Sequence, residues 1–498
     1  MSKKKIILMI LMIITILQIS IRIYIGNDKN YYHMDEAYSY GLINYERLNI
    51  TDNPDFSNKW HDKQYYLDYL EINQDEKNNW IPVYENQKND VHPPLYYLML
   101  RIVSNFSIDN FTKWTGIILN IIFFVCSNYF IYQISKIIFK NPIYGIFACI
   151  INGFSLISLN SSSYIRMYEL ANLMTLILTW GHIRIWRKEK IKWKDCILIS
   201  VAFILGGLTH YYVLLYGLGI YLVYTWKCWR AKQYNSLKKY QISVACSGIL
   251  YLCIFPYAIE HIFFSYRGMN NTGKPNWILQ ISGYLQILNK EIFHYLAIPF
   301  IIILIFLYKK NRNKNSKENI LYLLIIPIIL YLCIVISKAP YIEVRYIMPI
   351  YSSIIIAILY IAKNIIQKGR KQKETLFILA FLYAIMLYSP MVTKVKLDFI
   401  YKQYQPVVQK IETENKPIVY LFNPQENRFL DDIYLFTLTD KSIILEGENG
   451  NKILKEIIEQ KQNFILIGSD KEIEKWKDKL NLEWIENMNA VKVFKTTF

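Results

Sequence analysis

The sequence lacks the cysteine and glycine patterns of several common ligand sites. It contains seven cysteines, and all of them except Cys228 lie in apolar runs. No CxxC pair or Cys/His spacing typical of zinc sites occurs, so we interpret the cysteines as small buried hydrophobic residues. No phosphate-binding glycine loop is present, because Gly468–Lys471 (GSDK) does not match one, and we find no internal repeat.

Acidic residues are scarce relative to basic ones, with 39 Asp and Glu against 57 Lys and Arg and a formal net charge of +18. Most of the basic residues lie in short tracts between apolar runs, which is typical of the cytoplasmic loops of membrane proteins. We therefore expect a lipid bilayer, and no nucleic acid, as a partner. The tracts are Lys136–Lys140, Arg184–Lys194, Lys227–Lys239, Lys309–Lys317 and Lys363–Lys373.

Long apolar runs are abundant, and 53% of the residues are hydrophobic. The first run, 6–25, follows Lys3–Lys5 and has no small-residue cleavage site, which favours an uncleaved span with a cytoplasmic N-terminus. Further runs lie at 114–135, 142–160, 168–183, 195–226, 240–258, 284–308, 319–337, 346–363 and 375–392.

The run 195–226 is too long for one span, because such a helix reaches about 48 Å and a hydrocarbon core is about 30 Å thick. Basic tracts flank both of its ends, so the chain should cross twice and turn near Gly206, Gly207 and Thr209. The sequence thus predicts about eleven spans, with the C-terminus outside.

Two parts of the chain are expected. Residues 1–393 form an all-α polytopic membrane domain, in which the first loop, 27–113, lies outside the cell and carries 13 Asp or Glu against 6 Lys or Arg in 27–91. Residues 394–498 alternate short apolar strands at Ile418–Phe422, Ser442–Glu446 and Phe464–Gly468 with amphipathic stretches, which predicts a small extracytoplasmic α/β domain.

Unusual polar residues fall at the predicted outer boundary. Ionisable groups at membrane depth are costly and usually serve a site, although a single boundary residue is about as often only an anchor. As a set they predict an outward-facing site, because arginine at an outer boundary opposes the usual charge bias. They are Asp35, Glu36, Asp90, His92, Arg166, Tyr168, His210, His261, Arg267, Arg345 and Tyr346.

Five segments at these positions resemble the GT-C glycosyltransferases, and the nearest branch is that of the protein O-mannosyltransferases and aminoarabinose lipid A transferases. The segments are YYHMDEAYSYG, DVHPPLYYLML, SSYIRMYELANL, THYYVLLYG and EVRYIMPIY, within roughly residues 5–360. The resemblance implies an inverting transfer of a sugar from a polyprenyl-phosphate donor to an envelope acceptor, which is a protein, lipid or polysaccharide. The resembling branch does not require a metal, and the resemblance implies no other cofactor.

The resemblance also implies roles for particular residues. The catalytic base matches Asp35, with Glu36 beside it in an orienting role. Met34, Ala37 and Tyr38 give Asp35 an apolar setting, which we expect to hold its pKa in a useful range. A guanidinium suits the leaving phosphate, because it is always charged and bonds two oxygens at once.

Arg345 is the first choice for the phosphate, and Arg166 and Arg267 are alternatives. His92 contacts the donor or fixes the loop, since two prolines after it favour an abrupt helix start. Asp90 is a possible second acidic residue, and Tyr168, Tyr346 and His210 complete the predicted donor-binding set.

Alternatives remain for the other polar residues and for the function. His210 and His261 are potential metal ligands, although an isolated histidine is more often part of a hydrogen-bonded structure. Asp431–Asp432 in the tail is interpreted as a solvated helix face. The alternative function is a membrane transporter or flippase of lipid-linked or small substrates.

Overall fold

The computed structural model describes residues 2–46, 48–265, 277–292, 295, 320–365 and 397–498. The chain is mostly helical and carries one mixed β-sheet. The predicted spans at 284–308 (in large part) and 375–392 lie outside the described residues.

The helices before residue 366 form the membrane part and the first loop. They are Lys3–Asn27 (α1), Met34–Asn44 (α2), Lys63–Leu70 (α3), Ile81–Asn89 (α4), Leu95–Ser104 (α5), Trp114–Phe139 (α6), Pro142–Gly153 (α7), Leu156–Ser163 (α8), Tyr168–Trp186 (α9), Trp193–Thr209 (α10), Tyr211–Arg230 (α11), Tyr234–Ile254 (α12), Ala258–Phe263 (α13), Trp277–Glu291 (α14), Ile320–Lys338 (α15) and Tyr351–Ile365 (α16).

Four stretches of the described chain are long and apolar enough to cross a membrane, namely Lys4–Asn27, Trp114–Phe139, Ile320–Lys338 and Val344–Lys363. The pair α7 and α8, bent by 60°, adds a fifth if it is one broken span. The chain is therefore a membrane protein, and the number of eleven spans stays a prediction.

Two local predictions from the sequence are confirmed. The run 195–226 consists of two helices, α10 and α11, which meet at His210. Helix α5 begins directly after Pro94, as the His-Pro-Pro sequence predicted.

The sheet has six strands in the order β1-β3-β2-β4-β6-β5, and β2 pairs in parallel with β3 and β4. The strands are Trp60–His61 (β1), Ile418–Leu421 (β2), Ser442–Leu445 (β3), Ile465–Gly468 (β4), Leu482–Met488 (β5) and Val491–Thr496 (β6). The tail helices are Gln405–Glu414 (α17), Phe429–Phe436 (α18), Gly447–Glu459 (α19) and Asp470–Glu474 (α20).

The three parallel strands were predicted from their continuous apolar runs. Such runs are expected of strands that are buried along their whole length, as these are. The prediction missed β5 and β6, and it missed β1, which comes from the first loop. Only two residues form β1, and β5 consists mainly of exposed and half-buried residues and contains Glu483 and Glu486.

The first loop and the tail share this sheet. β1 pairs antiparallel with β3, and the neighbouring Asn58 donates its N–H to the carbonyl of Ile444 at 2.6 Å. Helix α18 packs against α2 and α3 of the loop. The first loop and the tail therefore lie on the same side of the membrane.

Candidate active site

Helix α2 begins with a capping box that places two carboxylates in its first turn. His33 Nδ1 accepts the N–H of Asp35 at 3.1 Å, and Glu36 Oε2 accepts the N–H of His33 at 2.9 Å. Burial lowers the pKa of His33 to about 4, with Arg345 and Arg166 adding to this effect and Asp35 opposing it. The ring is therefore neutral near pH 7 and accepts the hydrogen bond that orients Asp35.

The Asp35 side chain lies where three elements meet. Its Oδ2 accepts a 2.7 Å hydrogen bond from the Tyr164 hydroxyl and contacts the guanidinium of Arg345. Arg166 donates to the main-chain carbonyl of Asp35 at 3.2 Å and to Ser39 Oγ at 3.1 Å. The carboxylate is thus held on several sides, yet 16% of its side chain remains exposed.

Charge, and not the apolar neighbours, sets the acidity of Asp35. Burial alone would raise the pKa of Asp35, but the guanidinium groups of Arg166 and Arg345 bring it well below its usual range. The expectation that Met34, Ala37 and Tyr38 hold this pKa in a useful range is wrong. Asp35 is ionised in this state of the protein, and its basicity is low.

Glu36 is fully buried and is held by the chain itself. Its Oε2 lies 2.8 Å from Lys29 Nζ in an ion pair with no exposure of either side chain, and its Oε1 accepts the N–H of Ile165 at 2.8 Å. Burial raises the pKa of Glu36 and lowers that of Lys29, and the contact between them opposes both shifts. Glu36 thus ties the start of α2 to the segment between α8 and α9.

Arg345 lies in a short 3-10 turn, Val344–Tyr346, at the start of the span Val344–Lys363. Its Nε is 2.6 Å from Glu343 Oε2, and its terminal nitrogen lies 3.2 Å from the Tyr164 hydroxyl. Its side chain is 9% exposed. A guanidinium so placed can contact an anion beside Asp35.

Arg166 continues from Asp35 to a second acidic residue. Its other terminal nitrogen lies 3.3 Å from His92 Nε2, and His92 Nδ1 lies 2.7 Å from Asp90 Oδ2. Burial would raise the pKa of Asp90, but His92 lowers it below its usual value. The structure therefore joins Asp35, Arg166, His92 and Asp90 in one network.

Aromatic rings form a wall beside these charges. Tyr164 and Tyr168 are stacked with centroids 5.8 Å apart, and Tyr168 lies 5.7 Å from the ring of His210. Tyr212 lies 4.8 Å from His210 and 5.9 Å from Tyr346. The predicted Tyr168, His210 and Tyr346 thus share one surface.

Two of the remaining candidates do not join this cluster. Arg267 lies outside the described residues. His261 is held by Tyr211, whose hydroxyl is 2.7 Å from Nδ1, and by the carbonyl of Lys88, 3.0 Å from Nε2. His210 Nδ1 accepts the N–H of Tyr212 at 3.1 Å. Within the described part of the chain, no three His, Cys, Asp or Glu side chains are arranged to hold a metal ion.

The interpretation of Asp431–Asp432 as a solvated helix face is wrong. Asp432 is 2% exposed, and its two oxygens accept hydrogen bonds from Tyr31 and Tyr420, each at 2.8 Å. Asp431 accepts the N–H of Met34 at 3.1 Å. Both side chains face the first loop because α18 packs on α2.

The sequence analysis missed four residues that shape the site. Tyr164 and His33 stand inside quoted motifs, beside Arg166 and Asp35, so their polar groups near charged residues were a usable signal. Lys29 and Phe399 had no such signal. Phe399 stacks on Tyr164 with centroids 3.8 Å apart, and its carbonyl accepts from Lys29 Nζ.

Comparison with known proteins connects part of this site to a family. Residues 91–259 match the model of the dolichyl-phosphate-mannose-protein mannosyltransferase family. This segment contains His92, Arg166, Tyr168 and His210, while Asp35 and Arg345 fall outside it. No curated protein matches the chain as a sequence.

Two solved structures are similar to the chain. One is ArnT from Cupriavidus metallidurans bound to undecaprenyl phosphate, at 9% identity and a TM-score of 0.49, covering 96% of this chain and 97% of that one. The other is the same protein in the apo state, at 8% identity and a TM-score of 0.49, with the same coverage. Through the family match over residues 91–259, together with its five motifs, the chain resembles the GT-C glycosyltransferases, as the sequence predicted.

Proposed function

We propose that this membrane protein is an inverting glycosyltransferase that moves a sugar from a polyprenyl-phosphate donor to an envelope acceptor at the extracytoplasmic face. One observation carries the proposal. The carboxylate of Asp35 lies in direct contact with the Arg345 guanidinium, so a proton acceptor stands beside an anion-binding group at a partly open position. An inverting transfer from a phosphate uses a proton acceptor for the attacking hydroxyl and a cation for the leaving oxygens, and the site offers both.

In the proposed reaction, an acceptor hydroxyl attacks the anomeric carbon while Asp35 takes its proton. The carbon–oxygen bond to the phosphate breaks, and the phosphate monoester leaves with the bonding electrons. Arg345 binds the leaving oxygens, and Arg166, which bonds to the main-chain carbonyl of Asp35 and to His92, is available for a second contact. The wall of Tyr168, His210 and Tyr346 supplies an apolar surface for the sugar or the first isoprene.

Donor binding also explains how a weakly basic Asp35 becomes useful. A phosphate that binds Arg345 competes with Asp35 for the guanidinium, which removes part of the charge that lowers the pKa of Asp35. The base therefore gains strength when the donor is in place. Glu36, bonded to Lys29 and Ile165, holds the helix start and is assigned to orientation.

The test is transfer of radiolabelled sugar from a polyprenyl-phosphate donor to native envelope acceptor by purified protein in detergent. Asp35→Asn keeps the shape and removes the base, so we expect transfer to fall by about 10²-fold or more with unchanged protein level. The matched control is Asp75→Asn, because Asp75 is exposed in the same loop. Near-normal transfer by Asp35→Asn would place the base elsewhere.

The same assay distinguishes the alternative function. Detergent micelles have no two sides, so a transporter or flippase forms no glycosylated product there, whereas a transferase does. Absence of product from the wild-type protein, with donor and acceptor both supplied, would contradict the proposal.

The proposed location has a separate test. We propose a cytoplasmic N-terminus and an extracytoplasmic tail, supported by the contact between the tail and the first loop that holds Asp35. Protease added to intact cells without an outer barrier should remove a tag placed at residue 498. Full protection of the tag would reverse the topology.

A further inference from the structure

The start of α2 depends on the tail for one of its hydrogen bonds. The first N–H groups of a helix have no partner within the helix and must be satisfied from outside. Here His33 Nδ1 accepts the N–H of Asp35, and the His33 carbonyl accepts the N–H groups of Glu36 and Ala37. The N–H of Met34 bonds instead to Asp431 Oδ1, at 3.1 Å, from 397 residues further along the chain.

Other contacts fix Asp431 at this position. Arg428, just before α18, lies with a guanidinium nitrogen 3.2 Å from the sulfur of Met34. Tyr434 of α18 packs on Tyr32 with centroids 5.1 Å apart. Asp432 receives the hydroxyl of Tyr31 at 2.8 Å. Residues 31, 32 and 34, which lead directly to Asp35, therefore each contact the tail.

We propose that the tail domain is a working part of the active site, and that Asp431 is a positioning residue which caps α2 and fixes the carboxylate of Asp35. The carboxylate of Asp431 is favourably placed at the start of α2, because the partial positive charge of the first helical turn attracts a negative group. Loss of the cap frees the first turn of α2, and Asp35 then moves relative to Arg345 and Tyr164. Asp431 itself touches no reacting atom.

The expected effect on the transfer rate rests on the proposed function, whereas the capping of α2 by Asp431 can be tested separately by hydrogen exchange. Asp431→Ala should raise deuterium uptake in peptides covering residues 31–40 and lower the transfer rate at saturating donor about tenfold, with the donor KM nearly unchanged. Asp431→Asn keeps an acceptor oxygen at the same place, so it should restore most of both readouts. Asp478→Ala, an exposed acidic residue of the same domain, is the matched control and should change neither.

Each outcome decides the matter. Normal uptake in peptides 31–40 for Asp431→Ala would overturn the capping, and raised uptake with a wild-type rate would overturn the positioning role. If the alanine variant does not accumulate, Asp431→Glu decides, because it moves the carboxylate by one methylene; wild-type uptake and rate in that variant would also overturn the proposal. Failure of the wild-type protein to transfer sugar would count against the proposed function, while the exchange result would still report on the cap.

Discussion

Two of the α-helices that the structure describes, α2 and α18, each carry a pair of adjacent acidic residues in the first turn, and opposite surroundings give Asp35 and Asp432 opposite acidities. Asp35 faces two guanidinium groups, and its pKa lies well below the usual range although burial opposes this. Asp432 faces two tyrosine hydroxyls, and burial raises its pKa to about 7. Both carboxylates are largely buried, so burial alone does not decide their charge; the nature of the nearest partners does.

The same comparison holds inside the first pair. The Asp35 side chain is 16% exposed and faces two guanidinium groups, which suits a group that exchanges contacts during a reaction. The Glu36 side chain is not exposed at all, and Lys29 and two backbone N–H groups occupy its oxygens. In the proposed mechanism, adjacent carboxylates of one sequence motif therefore serve catalysis and structure separately.

The largest expected effect is a loss of stability when Glu36 loses its partner Lys29. Lys29→Met leaves Glu36 buried without its cation, which should cost about 3–5 kcal/mol of stability. The measurement is the thermal unfolding midpoint in detergent. Adding Glu36→Gln to Lys29→Met should recover part of the loss.

The matched control for this pair is Lys402→Met. Lys402 forms an ion pair with Asp28 at 2.6 Å, but its side chain is 63% exposed, so little change is expected. Equal midpoints for Lys29→Met and Lys402→Met would show that the buried pair has no special role.

The next effect concerns the cation that faces Asp35. Arg345→Ala should slow transfer, because the lost contact with the phosphate is worth about 2–4 kcal/mol. Arg345→Lys should slow it less, because lysine keeps the charge but cannot bond two oxygens at once. Loss of the guanidinium also raises the pKa of Asp35, so the acidic limb of the pH–rate profile should move to higher pH.

Wild-type turnover by both variants would leave Arg345 as a membrane anchor and pass the phosphate role to Arg166 or Arg267. A lowered rate with an unmoved acidic limb would show that Arg345 does not set the acidity of Asp35.

The smallest effect is the pH response of the tail. The pKa of Asp432 is raised in the folded protein, so its contribution to docking is complete at acidic pH and is lost as the pH rises through about 7. The groups that face it are Tyr31, Tyr420 and the neighbouring Asp431, whose own pKa is raised to about 6 by burial. Deuterium uptake of peptides 28–34, corrected for intrinsic rates, should be severalfold greater at pH 8 than at pH 5.5.

Asp432→Asn removes this ionisation and should flatten the difference between the two pH values. An equal pH response in the wild-type protein and the variant would show that another group controls the docking of the tail.

Local sequence patterns predicted the parts of the molecule that are decided locally. Helix α5 begins directly after Pro94, the long run divides into two helices one residue after the predicted turn near Thr209, and the three parallel strands are buried apolar runs. The motifs also brought together Asp35, Arg166 and Arg345, because the family resemblance carries information on their spatial arrangement.

The parts that could not be predicted depend on contacts between distant residues. Phe399 stacks on Tyr164, and Asp431 bonds to Met34, without any local pattern around either residue. The low pKa of Asp35 was missed although Arg166 and Arg345 were assigned to the same site, because the motifs do not give the distance between these cations and the carboxylate. Side-chain composition near Asp35 suggested an apolar setting, whereas the fold places two cations there.

The shared sheet has a consequence for how the protein is made. Asn58, next to β1, bonds to Glu446 across 388 residues of sequence. The first loop is synthesised long before its partner strand β3. Trp60 and His61 therefore remain unpaired while the later helices are synthesised. Contacts of such separation form slowly and leave strand edges open meanwhile. β1 can therefore join the sheet only after β3 has been synthesised, and a chain that stops before residue 442 leaves β1 without its partner strand.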